Sequence, residues 1–228
     1  MTNHRNGYIL EAAGVHKSFV SGDVREHVLR GLDLRVGAGE FLAVMGPSGC
    51  GKSTLLHILG LMSGPDEGAV IIDGLNTTGL DERGRADLRR RKIGFVFQRF
   101  NLISVLSGYD NIALSMRIRG LDSNPADELL RAMGVADVAR KKPSQMSIGQ
   151  QQRLAVARAI AHRPDILLAD EPTGSLDSEN AEALLGLLTQ ANRQDGQTIV
   201  MITHSKAVAD AAGRIVRMKD GRILDENP

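Results

Sequence analysis

The chain has 228 residues, 42% of them apolar and 24% charged. This is the balance of a soluble globular protein and excludes disorder, a collagen-like repeat and a disulfide scaffold. Lys and Arg number 28 against 27 Asp and Glu, a net charge of +1, which argues against a general nucleic-acid binder while leaving room for a local basic patch. Even with glycine counted, the apolar stretch at residues 183–188 is far short of the roughly twenty residues a membrane-spanning helix needs. No secretory leader pattern opens the chain, and its single cysteine cannot form an internal disulfide, so the cytoplasm is the expected compartment. Glycine is the outlier: 25 residues, about 11% against a usual 7%.

Taken in order, Phe41 to Met45 is a short apolar run without polar alternation, as expected of a strand buried on both faces of a parallel sheet. A glycine-rich turn and a helical pattern over Lys52 to Met62 follow. Val70-Ile71-Ile72 before Asp73-Gly74 reads as one arm of a hairpin. Gly94 to Phe97 is an apolar strand, and from Asn101 to Ser147 the pattern is mostly helical, with Asp127 to Met133 and Ala136 to Arg140 as candidates. Gln150 to Ala161 is a further helix, Ile166 to Ala169 a buried strand, and Glu179 to Asn192 a helix with Leu184, Leu185, Leu187, Leu188 and Ala191 in one stripe and Gly196 as terminator. Ile199 to Thr203 is a third buried strand, and Ile215 to Met218, Asp220-Gly221 and Arg222 to Leu224 form a second hairpin. Strand-helix-strand alternation predicts an α/β fold with a right-handed parallel-sheet core. An antiparallel β layer built from the hairpins is expected beside it, with a helical subdomain of about residues 99–160 inserted. Nothing divides the chain, so residues 1–228 are expected to form one domain.

The chemistry starts after the first strand. Gly46-Pro47-Ser48-Gly49-Cys50-Gly51-Lys52-Ser53-Thr54 fits G-x-x-x-x-G-K-S/T between a strand and a helix, the context this phosphate loop requires. Glycines 46, 49 and 51 let backbone N–H groups face a phosphate, the helix N-terminus adds partial positive charge, and Lys52 adds a full one. Ser53 is placed to ligate Mg²⁺. Cys50 is either a redox-sensitive thiol or a tolerated small residue. The strand Ile166 to Ala169 ends in Asp170-Glu171, where Asp170 would hold Mg²⁺ and Glu171 would polarise the attacking water. No guanine-reading Asn-Lys-x-Asp is present. Ser147 with Gln150 three residues later is a capping-box pattern, and its helix N-terminus offers a second anion site about 100 residues from the first. Two such termini in one chain suggest a dimer in which each nucleotide is gripped by both subunits.

From about Ile9 to Leu224 the chain resembles the nucleotide-binding subunit of ATP-binding cassette (ABC) transporters, with the motifs in the family's order. The resemblance implies that Phe19 stacks on adenine, although the residue alone is equally a core aromatic. Gly46 to Thr54 matches the Walker A loop, and Gln98 the glutamine linking the metal site to the helical subdomain, although it also reads as a strand-end cap. Ser147, Gly149 and Gln150 match the signature, Asp170-Glu171 the Walker B end, and Ser175-Leu176-Asp177 the D-loop, in which Asp177 would tie the two active sites together. His204, at the end of the third buried strand, matches the switch histidine that contacts the γ-phosphate. Catalysis would fall to Glu171, His204, Lys52 and Gln98, and the metal to Ser53, Gln98 and Asp170.

Lys92 to Ile103 with Asp110-Asn111-Ile112 is most similar to the lipoprotein-release and macrolide-export class. That implies a second ATPase subunit, most simply an identical copy, an integral-membrane permease, and a peripheral location on the cytoplasmic side of the inner membrane. Leu102, Ile103, Val105 and Leu106 either receive the permease or pack inside the helical subdomain. The basic run Arg89 to Lys92 is either a solvated helix face or a lipid headgroup contact. The signature departs from Leu-Ser-Gly-Gly-Gln: it reads Met146-Ser147-Ile148-Gly149-Gln150, with a β-branched residue where a partner's nucleotide would approach backbone. Ser205 stands where the family has Asp. The expected function is an ATPase driving a separate permease. The alternatives are a regulatory, weakly hydrolysing module signalling through a membrane partner and, further off, a soluble ATPase acting on DNA or ribosomes.

Overall fold

The computed structural model describes residues 7–122 and 125–227. In chain order the elements are β1 (Tyr8–Ser21), β2 (Val24–Gly37), β3 (Phe41–Met45), α1 (Lys52–Leu59), β4 (Glu67–Ile72), β5 (Leu75–Asn76), α2 (Glu82–Lys92), β6 (Ile93–Val96), α3 (Gly108–Arg119), α4 (Ala126–Ala132), α5 (Ile148–Ile160), β7 (Ile166–Asp170), α6 (Ser178–Asp195), β8 (Thr198–Thr203), α7 (Lys206–Ala209), β9 (Arg214–Lys219) and β10 (Arg222–Asn227), with single 3₁₀ turns at Ala136–Val138 and Pro143–Gln145. Two sheets carry the fold: an antiparallel one in the order β2-β1-β4-β5, and a six-stranded one in the order β10-β9-β3-β8-β7-β6. Within the second, β9, β3, β8, β7 and β6 run parallel and only β10 is antiparallel.

The apolar runs in the sequence are explained by which way their side chains face. In β3, Leu42 and Val44 belong to one hydrophobic core while Phe41 and Ala43 belong to the other. β7 divides in the same way, Ile166 and Leu168 against Leu167 and Ala169, and so does β8, Val200 and Ile202 against Ile199 and Met201. Alternation is present in space but invisible in composition, because both faces are covered. The first core lies under the antiparallel sheet and α1, the second under α3 to α6. Each fully buried aliphatic side chain here is worth about 1.5–3 kcal/mol relative to exposure.

Several boundaries differ from expectation. α1 ends at Leu59 rather than Met62, because Gly60 caps it and Leu61 takes a left-handed φ of 56°. α5 starts two residues before Gln150, since the capping-box geometry makes Gln150 the third helical residue, not the first. α6 is terminated by Gly196 at φ 66° as expected. The segment expected to be helical at 136–140 is only the 3₁₀ turn Ala136–Val138. Both hairpins form on Asp-Gly turns, with left-handed φ at Asp73, Gly74, Asp220 and Gly221, yet they do not share a layer. The β4–β5 hairpin joins the antiparallel sheet, whereas β9 and β10 extend the parallel sheet at its edge. The 14-residue strands β1 and β2 escaped the sequence pattern, because register shifts at several points along their pairing break the alternation a plain strand would show. α2 escaped because Leu88 is its only buried residue.

No helix among the described residues is long and apolar enough to cross a membrane. The basic run at the end of α2 is engaged within the chain. Arg89 donates to the Leu61 carbonyl and to Glu82, Arg90 to Asp87 and the Ile118 carbonyl, and Arg91 pairs with Asp87, while Lys92 bridges Asp73 and Asp165 at 3.0 and 2.5 Å. Ion pairing on a helix face, rather than a free cationic patch, is what these residues build.

Candidate functional site

Parallel strands put their carboxyl ends on one edge, and in open α/β sheets that edge is where ligands bind. Register aligns Met45 of β3 with Thr203 of β8, Ile202 with Asp170 of β7, and Ala169 with Val96 of β6. The residues just beyond these positions are the phosphate loop, His204, Glu171 and Gln98. A cleft of about 440 Å³ is lined by Ser48, Gly49, Gly51, Lys52, Ser53 and Thr54, by Gln98, Asp170 and Glu171, and by Phe19 and Val28. Gly46, Pro47 and His204 line an adjoining depression.

The loop's shape follows from its glycines. Gly49 and Gly51 sit at φ 79° and 101°, a region that costs other residues energy. Gly46 is required for space, since a Cβ there would lie 2.2 Å from the Met218 carbonyl oxygen. Lys52 is only 5% exposed, and its Nζ donates to the carbonyls of Gly46 and Pro47, both at 2.8 Å. The loop thus wraps its own cation in backbone carbonyl oxygens. Of the two readings of Cys50, its burial favours the tolerated small residue: the thiol lies in the first core, so the loop gains only backbone from it.

Ser53 Oγ donates to Asp170 Oδ1 at 3.3 Å, bringing a hydroxyl and a carboxylate together beside Lys52. Burial pushes the Asp170 carboxyl above the usual range, against the lowering influence of His57 and the Ser53 hydroxyl. A raised native value favours the folded state while the carboxyl is protonated, a contribution lost as pH climbs through its titration range. In nucleotide-free protein, Asp170→Asn should therefore raise the thermal midpoint at neutral pH, and the advantage should shrink as pH falls into the carboxylate range. Thermal melts from pH 4 to 8 check this, and a lowered midpoint at pH 7 would contradict it.

Glu171 has φ 41°, in the left-handed region that non-glycine residues avoid. Its N–H donates to the Ile202 carbonyl at 3.1 Å, and its own carbonyl accepts from Gly174 N at 3.0 Å, so the backbone is pinned in that conformation. The carboxylate then accepts a hydrogen bond from His204 Nδ1 at 3.0 Å. That bond assigns a proton to Nδ1 and leaves Nε2 as the nitrogen available to a ligand. Strain held at a carboxylate facing a phosphate cleft is the kind of outlier that marks chemistry.

Phe19 is 49% exposed and lies under Lys17, whose Nζ is 5.7 Å from the ring centroid. An aromatic face at the cleft rim, exposed and not in the core, is available for stacking.

The signature residues are placed elsewhere. Ser147, Gly149, Gln150 and Asp177 are not among the residues lining the cleft. Ser147 N-caps α5, its hydroxyl accepting from Gln150 N at 3.2 Å while Gln150 Oε1 accepts from Ser147 N at 2.9 Å. Asp177 N-caps α6, and the Asn180 backbone and side-chain N–H groups hold its carboxyl below the usual range. Asn180, which sequence reasoning did not single out, links the two motifs. It accepts from Arg153 of α5 at 3.0 Å and donates to both Asp177 oxygens at 2.9 Å. A Cβ on Gly149 would sit 2.3 Å from Asn180 Oδ1, so a side chain there would push Asn180 off its hydrogen bonds with Arg153 and Asp177. Ile148 points outward, 54% exposed. Ile148→Gly should leave the thermal midpoint of the nucleotide-free protein little changed, an exposed substitution being worth within about 0.5 kcal/mol, and turnover within about two- to threefold of wild type would show that the side chain does not obstruct the partner's nucleotide. A gain of tenfold or more in a steady-state assay would show that the isoleucine obstructs function.

Fold and cleft together define a nucleoside triphosphatase of the phosphate-loop class. The family model described as "ABC transporter" matches residues 29–174. The chain is 44% identical over 224 residues to the lipoprotein-releasing system ATP-binding protein LolD of Anaeromyxobacter dehalogenans, covering 96% of this chain and 94% of that protein. It is 43% identical over 220 residues to the macrolide export ATP-binding/permease protein MacB 1 of Aeromonas hydrophila, covering 95% of this chain but 34% of that longer protein. Its fold superimposes with a TM-score of 0.90 on the dimeric post-hydrolysis structure of the ATP-binding cassette MJ0796 bound to ADP and Pi, 41% identical and covering 96% and 97% of the two chains. The chain belongs to the ABC transporter family, as an ATP-binding subunit of the LolD and MacB type. Its activity is that of an ABC ATPase, hydrolysis of ATP to ADP and phosphate.

Proposed function

We propose that two copies of this chain close around two Mg²⁺·ATP, reopen after hydrolysis, and so drive a separate membrane permease from the cytoplasmic face of the inner membrane. The observation that carries this reading is the separation of the site into halves. The phosphate loop, Gln98, Asp170 and Glu171 share one cleft that His204 adjoins, while Ser147, Gly149, Gln150 and Asp177 do not line it. A second copy supplying its signature helix N-terminus completes the site. The dimeric state of MJ0796 agrees with this.

In the closed site Lys52 exchanges its two carbonyl partners for γ-phosphate oxygens, and the α1 and opposing α5 N-termini face the remaining charge. Phe19 stacks on the adenine. Ser53 Oγ and Asp170 Oδ1, 3.3 Å apart, are a sparse all-oxygen set. That set suits Mg²⁺, which keeps water and phosphate oxygens in its shell. Gln98 at the cleft is a further oxygen donor to it. When bound, the ion neutralises charge on the β- and γ-phosphates. Glu171 orients the attacking water and takes its proton as the oxygen adds to phosphorus and the bond to ADP breaks. His204, held by Glu171 through Nδ1, presents Nε2 to the γ-phosphate. Asp177 contacts the opposing site.

For the permease contact, Ile103 and Val105 are 40% and 72% exposed, held on a loop that buried Asn111 fixes through Ile103, Leu106 and Ser107. Apolar side chains displayed on a rigid loop favour the docking role over packing for these two, whereas Leu102 packs against the second core. The similarity to LolD and MacB supports a permease of the lipoprotein-release or macrolide-export kind.

Subunit mixing tests the composite site. Lys52→Met copies and Ser147→Arg copies should each be inactive alone, and a mixture should recover turnover, because one of the two sites in a mixed dimer is then intact. An inactive mixture that still forms dimers would overturn the proposal.

A further inference from the structure

The loop that follows Gln98 is held in an unusual way. Phe100 and Asn101 adopt consecutive left-handed conformations, φ 44° and 49°, which costs a residue such as phenylalanine about 1–2 kcal/mol, while asparagine enters the region more readily. The carbonyls of these two residues accept from one guanidinium: Arg158 Nη2 reaches Phe100 O at 2.9 Å, and Arg158 Nη1 reaches Asn101 O. Arg158 lies in α5, the helix that Ser147 caps. Its side chain is partly buried, and among the described residues no carboxylate pairs with it. A planar fork of donors matches two neighbouring carbonyls.

The other side of Gln98 is anchored to the same helix. A Cβ on Gly94 of β6 would lie 2.2 Å from the Ala159 carbonyl oxygen, so strand and helix are in direct backbone contact next to Arg158. Gln98 therefore stands on a short tether, with β6 ending two residues before it and the clamped carbonyls beginning two residues after it.

We infer that Arg158 is a positioning residue for ATP hydrolysis: its guanidinium locks the turn after Gln98 onto α5, so that Gln98 and the signature end of α5 move as one body. The inference rests on Gln98 serving the Mg²⁺·nucleotide site, as proposed above. A displacement of α5 on dimer closure or permease movement is then delivered to Gln98 without slack. Arg158 itself touches neither nucleotide nor metal.

The test is a double-mutant cycle on the full-length protein, reading kcat, KM for ATP and the Mg²⁺ concentration for half-maximal turnover, with ATP binding measured separately in EDTA. Arg158→Met should lower kcat by about tenfold and raise the Mg²⁺ requirement while leaving metal-free ATP binding within about twofold. Gln98→Ala should do the same, and the double variant should fall no more than about twofold below Gln98→Ala alone, because the two act as a unit. If Arg158→Met does not fold, Arg158→Lys, which keeps charge but not the fork, is expected to show the same non-additivity with a smaller loss. A silent Arg158 variant beside an impaired Gln98→Ala, or a double variant losing a further tenfold, overturns the clamp. If Gln98→Ala is itself indistinguishable from wild type, the reading of Gln98 fails first and the clamp's role in hydrolysis falls with it.

Discussion

Glu171→Gln is expected to reduce ATP turnover by about 10²- to 10⁴-fold, the range lost with a general base, while ATP binding persists and dimers accumulate. Glutamine is nearly isosteric and retains an oxygen to accept from His204 Nδ1, now 3.0 Å from the carboxylate. The pinned backbone at φ 41° is unaffected by the change. What disappears is the capacity to take a proton from water. The substitution also removes a negative charge from the γ-phosphate's side of the cleft, which favours the closed, ATP-loaded dimer. Size-exclusion chromatography with ATP and a phosphate-release assay read the two effects independently. Turnover within tenfold of wild type would assign the base elsewhere.

Lys52→Met is expected to separate binding from stability. The Lys52 ammonium is 5% exposed, donates to the Gly46 and Pro47 carbonyls and lies close enough to Asp170 to act on its carboxyl, an arrangement that places it for a ligand. Loss of a buried, hydrogen-bonded charge from a binding contact costs about 2–5 kcal/mol, roughly 30- to 5000-fold in ATP affinity. Removing a buried charge relieves its desolvation cost, which offsets the two carbonyl hydrogen bonds lost with it. The thermal midpoint without nucleotide should therefore be no lower than that of wild type, with ATP affinity nearly abolished. Retained affinity, or a midpoint lowered by many degrees, would show that Lys52 holds the loop rather than the phosphate.

The phosphate loop was legible in the sequence because its chemistry is local: consecutive residues between a strand and a helix specify N–H direction, glycine geometry and cation at once. Asp170 and Glu171 were legible for a related reason, as the polar end of a run whose apolar residues must be buried. The capping box at Ser147 and Gln150 is likewise a relation over three residues, and it formed as read. Cys50 was ambiguous in the sequence because its neighbours in the loop say nothing of the core beneath it. The irregular pairing of β1 with β2 removed the periodicity by which a long hairpin would be recognised. The two Asp-Gly hairpins had the same local signature and joined different sheets, since a turn specifies its own strands but not their neighbours.

By itself the sequence determined the strand, loop and helix that hold a phosphate, the buried parallel sheet behind them, and the acidic pair at its edge. Each of those depends on residues a few positions apart. Only the tertiary structure decided that His204 meets Glu171 across 33 residues, that Asn180 joins the signature helix to Asp177, and that Arg158 grips the turn beyond Gln98 from 57 and 58 residues away. It also decided that a side chain at Gly149 would collide with Asn180, whereas that of Ile148 stands clear of the fold. Such contacts depend on how separate elements pack, and a hydrogen bond between distant residues leaves no periodicity or spacing along the chain from which to read it.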